Sequence, residues 1–255
     1  LTRDTADPKG AKYSRDASGE LDGTAEETAA VFPLLTGAIQ PSDYPAMLLA
    51  ECARRNRAGL TTCSEMTFDP MFRPMLDQLR DQLTVRLRTY EMSTAKMATD
   101  ETVANGDDTV RQVGIKIWLD GSPWIGNIDL SFPYLDTDAT RTIGVVPGSR
   151  GHANYTREQL AEIVEAYFPL GWQMACHVQG DKGVDTVLDV YEEALTKHPR
   201  TDHRLRLEHV GAITDERLQR AADPGVTCSI FVDQIHYWGD IIVDGLFGVE
   251  HGSRW

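Results

Sequence analysis

The sequence predicts an α/β protein: a parallel sheet covered by helices and closing as a TIM-type (β/α) barrel. Two observations carry this. Short, nearly continuous apolar runs such as GIKIWL, WQMACHV and RLRLEHV alternate with segments of helical period. Runs of that kind belong to parallel strands buried on both faces. The phosphate-cradling patterns GxGxxG and GxxxxGK[ST] do not occur, which weakens the open nucleotide-binding sheet as the alternative. A single barrel domain uses about 250 residues, and this chain has 255.

In chain order, residues 1–35 are polar, rich in Gly and Asp and without sustained period. They read as an irregular or hairpin-bearing insertion laid over a barrel domain of residues 36–255. A helix is expected from Ser42 as N-cap, with Met47, Leu48, Ala50 and Cys52 as its apolar face and Gly59 as its stop. The strand GLTTCSEM, a helix around MFRPMLDQLRDQ and the strand TVRLRTYEM follow. After a polar helix or loop comes the strand QVGIKIWL. The connection from Asp120 to Thr156 is long and rich in Gly, Pro and Asp, and such loops are usually functional. Thr156 is placed to cap the helix REQLAEIVEAYFPLG, whose Leu160, Ile163, Val164 and Tyr167 share one face. The strand WQMACHV, the helix GVDTVLDVYEEALTKHP, the strand RLRLEHV, the helix TDERLQRAADPG and the strand VTCSIFVD complete the alternation. No terminal helix pattern is read beyond them.

Acidic residues outnumber basic ones 39 to 25, for a formal charge of -14. That balance argues against nucleic acid or an anionic membrane as partner. No apolar stretch approaches the ~20 residues of a membrane span, and a soluble, cytoplasmic protein is expected. Cys52, Cys63, Cys176 and Cys228 lack CxxC spacing and read as small buried hydrophobes.

Chemistry concentrates in three adjacent strands. Lys116 lies between Ile115 and Ile117, and His177 and His209 stand at strand ends. In barrels the carboxyl ends of strands converge on one mouth. A charged lysine in an apolar strand needs a counter-charge, a depressed pKa or modification. Three readings are open for it: an ammonium reaching Asp120 or Asp181, a Schiff-base nucleophile, or a carbamylated lysine bridging metal. Either histidine alone reads equally as a core residue donating to a backbone carbonyl, whereas two at strand ends suit a divalent metal such as zinc, with Asp181 and Glu208 orienting them from behind. Asp120, Ser122 and Trp124 are candidates for the substrate mouth, and Asp120 equally suits capping a turn. Glu65 reads as a solvated strand end, and His152, His198, His203, His236 and His251 receive no role.

The segments VGIKIWLDGSPWIG, FPY at Phe132 to Tyr134, HVQGD at 177–181 and LRLEHVG at 205–211 together resemble the amidohydrolase superfamily. More closely they resemble its family 3 branch, which includes N-substituted formamide deformylases. The early segment DTADPKGAKYSRDASGELDG resembles that branch too. The resemblance implies a barrel with one or two divalent ions, usually zinc, that activate water against an amide, formamide or cyclic C–N compound. It makes Lys116 the fourth-strand bridging ligand, carbamylated in the bridging form, His177 the fifth-strand ligand and His209 the sixth-strand ligand. The superfamily's first-strand HxH pair has no counterpart here, and its eighth-strand general-base aspartate is expected beyond Trp255. The chain is therefore expected to supply about strands 2 to 7 of an incomplete barrel, and alone to bind metal weakly or not at all and to oligomerise or aggregate. Two alternatives stand beside the hydrolase: a Schiff-base aldolase or lyase using Lys116, and a non-catalytic truncated barrel.

Overall fold

The computed structural model describes residues 1–8, 12–26, 28–37, 39–93 and 106–255. The polar helix or loop expected after the strand TVRLRTYEM lies largely outside the described residues. The chain packs as two compact units, one of residues 1–61 and 78–85, the other of residues 62–77 and 86–255.

In the first unit, strands β1 (Lys12–Arg15) and β2 (Leu21–Glu26) form an antiparallel hairpin. The Asp16 side chain closes its turn by accepting the Ser18 and Glu20 N–H groups at 2.9 and 3.1 Å. Helix α1 (Thr28–Thr36) follows, then α2 (Tyr44–Arg57). A 3-10 turn at Pro41–Asp43 precedes α2, and the Asp43 carboxylate accepts the Gln40 N–H at 3.2 Å. Ser42 is thus inside the lead-in turn and not the cap. Cys52 is buried, whereas Met47 and Ala50 are exposed. The less exposed side of α2 runs through Pro45, Leu48 and Cys52 at helical spacing, and positions 47 and 50 fall off that stripe. Gly59, at φ 80°, ends the helix in the left-handed conformation only glycine adopts without strain.

The second unit is built on six parallel strands: β3 (Thr62–Phe68), β4 (Arg86–Met92), β5 (Val110–Trp118), β6 (Gln173–Val178), β7 (Arg206–His209) and β8 (Thr227–Ile230). Their spatial order equals their sequence order. A doubly wound sheet reverses its strand order at a switch point, whereas a barrel adds each strand beside the last. The arrangement is an incomplete (β/α) barrel. The connecting helices are α3 (Arg73–Leu79), α4 (Asp138–Thr142) and α5 (Arg157–Tyr167), then α6 (Asp181–Lys197) and α7 (Asp215–Ala222). Thr156 caps α5 as its sequence suggests, in a capping box with Gln159.

Strand alternation sorts the sheet's two faces. Ile115 and Ile117 of β5, Met174, Cys176 and Val178 of β6 and Leu207 of β7 pack outward. They meet Leu160, Ile163 and Val164 of α5 and Val184, Val187, Leu188 and Tyr191 of α6. Each such fully buried side chain contributes roughly 1.5–3 kcal/mol. The intervening residues, Lys116, Trp118, Ala175 and His177, therefore share the opposite, inner face.

The chain ends in helices that its sequence did not announce: α8 (Asp233–Asp240), a π-helical segment Ile241–Phe247 and α9 (Gly248–Gly252). Apolar residues recur through 230–241 on several sides, leaving Ile235, Tyr237 and Ile241 exposed, so no single stripe marks a helix. Ile242, Leu246 and Phe247 anchor this end on Ile128, Leu130 and Tyr134 of the long connection, in a second apolar cluster. Among the described residues no helix is long and apolar enough to cross a membrane.

Candidate metal centre

Register brings the three strand residues to one end of the sheet. Lys116 pairs with Ala175 and then Arg206 across β5, β6 and β7, and Trp118 pairs with His177 and then Glu208. Lys116 is 2% exposed, and the residue beside it on β6 is the small Ala175. Burial lowers its ammonium to about 8, with the Glu208 carboxylate opposing. Its Nζ lies 5.1 Å from the centre of the Trp118 ring.

His177 is buried, and its Nε2 stands 2.6 Å from the Gly121 carbonyl oxygen. A carbonyl only accepts, so Nε2 carries the proton and donates. Nδ1 is then the lone-pair nitrogen, and it is buried with no hydrogen-bond partner. Desolvation pulls the imidazolium down to about 3, and the charges of His209 and Lys116 act in the same direction. At neutral pH the ring is an uncharged donor.

His209 reaches this locus by a departure from strand geometry. Alternation from the outward Leu207 would turn it outward as well. Its φ is 77°, and that of Val210 is 47°, so the backbone turns left-handed where non-glycine residues are strained. The ring comes to 4.5 Å from His177, edge to face. Burial also lowers its pKa, with Lys116 contributing next.

The remaining candidates are placed as follows. Asp120 was expected at a substrate mouth, but it is wholly buried. Its carboxylate accepts the backbone N–H groups of Gln179, Gly180 and Asp129 at 2.9, 2.8 and 3.2 Å. Burial pushes its pKa up to about 7 against those three bonds. It ties the loop after β5 to the loop after β6, with Oδ1 3.9 Å from His177 Nε2. It thus stands behind the imidazole, the place assigned from sequence to Asp181. Asp181 instead accepts from Ser131 N at 2.8 Å and from the Ser131 hydroxyl, and pairs with Arg217 at 3.4 Å. It anchors the long connection to the start of α6. Glu208 is engaged by Arg206, two residues back on the same face, with a nitrogen-to-oxygen distance of 3.1 Å. Trp124 is half-buried in the second apolar cluster, its ring 5.2 Å from Trp238, and Ser122 caps its turn by accepting the Trp124 N–H at 3.3 Å. Glu65 is exposed and bonded to Thr67.

Trp118 and Gly121 were not singled out from the sequence. Trp118 lies two residues beyond Lys116 and so on its face, a signal that was legible. The Gly121 carbonyl depends on loop path and was not.

The donors present are two neutral imidazoles, one with a buried free lone pair, and an amine of depressed pKa. Among the described residues no group of three or more His, Cys, Asp or Glu side chains is gathered to hold an ion. By their chemistry the two imidazoles and the amine fit a divalent metal, but only as part of a donor set, since zinc sites take three or four protein ligands.

A family model described as "Amidohydrolase family" matches residues 1–255. The chain belongs to the amidohydrolase family. Its fold is also that of solved relatives. An uncharacterized metal-dependent hydrolase from Pyrococcus furiosus superposes with a TM-score of 0.74 at 22% identity, over 95% of this chain and 49% of that one. Another from Pyrococcus horikoshii OT3 gives 0.66 at 22% identity, over 91% and 44%. Among curated proteins, Protein LONG AFTER FAR-RED 3 of Arabidopsis thaliana is 27% identical over 122 residues, 48% of this chain and 19% of that protein. The chain thus spans less than half the length of each of these relatives.

Proposed function

We propose that this amidohydrolase chain supplies Lys116, His177 and His209 to a divalent metal centre, with zinc as the ion, in a hydrolase of non-peptide C–N bonds. Amides, formamides and cyclic amides are the substrate class. The observation that carries the reading is the buried, unpartnered Nδ1 of His177, whose other nitrogen is fixed on a carbonyl as in metal-binding histidines. A divalent ion bound there would act as a Lewis acid toward water and the scissile carbonyl.

The chain's own residues prepare the site in three ways. Burial keeps His177 and His209 uncharged near pH 7, so neither must lose a proton to become a donor. Gly121 fixes the His177 tautomer. Burial of Lys116 raises the share of free amine, the form that can be carbamylated into an anionic ligand. The same depressed pKa favours the Schiff-base reading, in which the Lys116 amine attacks a carbonyl substrate. That reading leaves the unpartnered His177 nitrogen unused, and it ranks second.

The test is elemental analysis of the purified chain with assays on formamide and cyclic amide substrates, before and after chelation. The expected result is zinc bound weakly, as a partial donor set holds it, when the ion is supplied, and binding that His177→Ala and His209→Ala remove, with any hydrolysis lost on chelation. Borohydride trapping of a carbonyl compound on Lys116 in a metal-free chain would overturn it.

A further inference from the structure

We infer that Trp118 is a positioning residue: one aromatic platform that sets the plane of His177 and holds the head of Lys116 beside it. The inference rests on the proposed metal centre but concerns a residue that stands within the segment VGIKIWLDGSPWIG without being one of the proposed ligands.

Four contacts carry it. The Trp118 and His177 rings stack with centroids 4.2 Å apart and planes within 20°. The Lys116 Nζ lies 5.1 Å from the same indole. The indole Nε1 donates to the Met92 sulfur on β4 at 3.1 Å, which holds the indole by its edge. Trp118 is also the register partner of His177 across β5 and β6, so the two rings are cross-strand neighbours by construction.

The physical need for such a platform is specific. The bond from His177 Nε2 to Gly121 decides which nitrogen bears the proton, but one hydrogen bond leaves the imidazole plane free to rock. The direction of the Nδ1 lone pair follows that plane. A flat ring stacked on one side, with His209 edge-on at 4.5 Å, restricts the rocking and aims the lone pair. The indole face also offers the buried Lys116 ammonium a partial substitute for lost water. His177 and Lys116 are thereby held at a fixed separation by a side chain that is itself no ligand.

The test uses the 255-residue chain with Trp118→Leu, which keeps apolar volume but no face, and Trp118→Phe, which keeps a face. Long-range proton–nitrogen correlation spectra of the metal-free chain at pH 7.5, assigned with His177→Ala, read the His177 ring. The wild-type and phenylalanine chains are expected to show one neutral tautomer protonated on Nε2; in the leucine chain the unrestrained ring rocks out of line with the Gly121 carbonyl, and a mixture is expected. Zinc calorimetry is expected to show affinity weakened roughly 10–100-fold by leucine, the range for outer-shell changes, and by less than about threefold by phenylalanine. A merely structural tryptophan would lower the thermal midpoint while leaving tautomer and affinity unchanged, and that result overturns the inference. If the leucine chain does not fold, Met92→Ala at an exposed position frees the indole edge, and an unchanged His177 spectrum there overturns it equally. A wild-type chain that binds no zinc removes the metal reading, while the tautomer comparison still decides the role of Trp118.

Discussion

Lys116 is held at a thermodynamic disadvantage, because burial disfavours its charged ammonium. In the unfolded chain its ammonium has the ordinary value of 10.5, and in the folded chain about 8. Between those values the unfolded chain holds a proton the folded chain has released, so stability rises with pH across that window. Below pH 8 the penalty is present in full. At roughly 1.4 kcal/mol per unit it is on the order of 3 kcal/mol at pH 7. Lys116→Met should therefore stabilise the chain by about 2–3 kcal/mol at pH 7 in urea unfolding, with the gain fading toward pH 10.5. A loss of stability at pH 7 would show that the ammonium is well paired. Much of this residue scale was legible: a lysine among isoleucines and two histidines at strand ends are visible in one dimension. The inward turn of His209 was not, because it depends on a positive φ at a non-glycine residue. Nor was the burial of Asp120, which depends on three N–H groups from other parts of the loops.

At the scale of elements, the loops after β5 and β6 form one layer behind the histidines. A Cβ added to Gly180 would stand 2.0 Å from the Asp129 carbonyl oxygen, so this glycine permits backbone to meet backbone. Gly180→Ala should force the loops apart, costing about 1–3 kcal/mol as overpacking does, and should weaken zinc binding through Asp120 and Gly121. Thermal unfolding and calorimetry on one variant check both, and an unchanged zinc affinity would separate the loops from the site. The strand and helix alternation from β3 to β8 was readable because parallel strands and amphipathic helices leave different periods, and Thr156 even fixed the start of α5. Helices α8 and α9 were missed because they pack on a loop cluster, where no sheet imposes a single apolar stripe.

At the scale of the whole molecule, six parallel strands in sequence order turn their carboxyl ends to one side, and the candidate ligands lie on three neighbours in the middle of the row. Family membership agrees with the barrel architecture. The central claim is that Lys116, His177 and His209 form one metal-binding locus, and cobalt(II) tests it most directly because its visible absorption reports nitrogen donors. Titrating cobalt(II) into the chain at pH 7.5 should give saturable d–d bands that zinc displaces. The double variant His177→Ala, His209→Ala should lose those bands, and Lys116→Met should shift or weaken them. Bands unchanged in the double variant, or no saturable bands from the wild-type chain, would contradict the account.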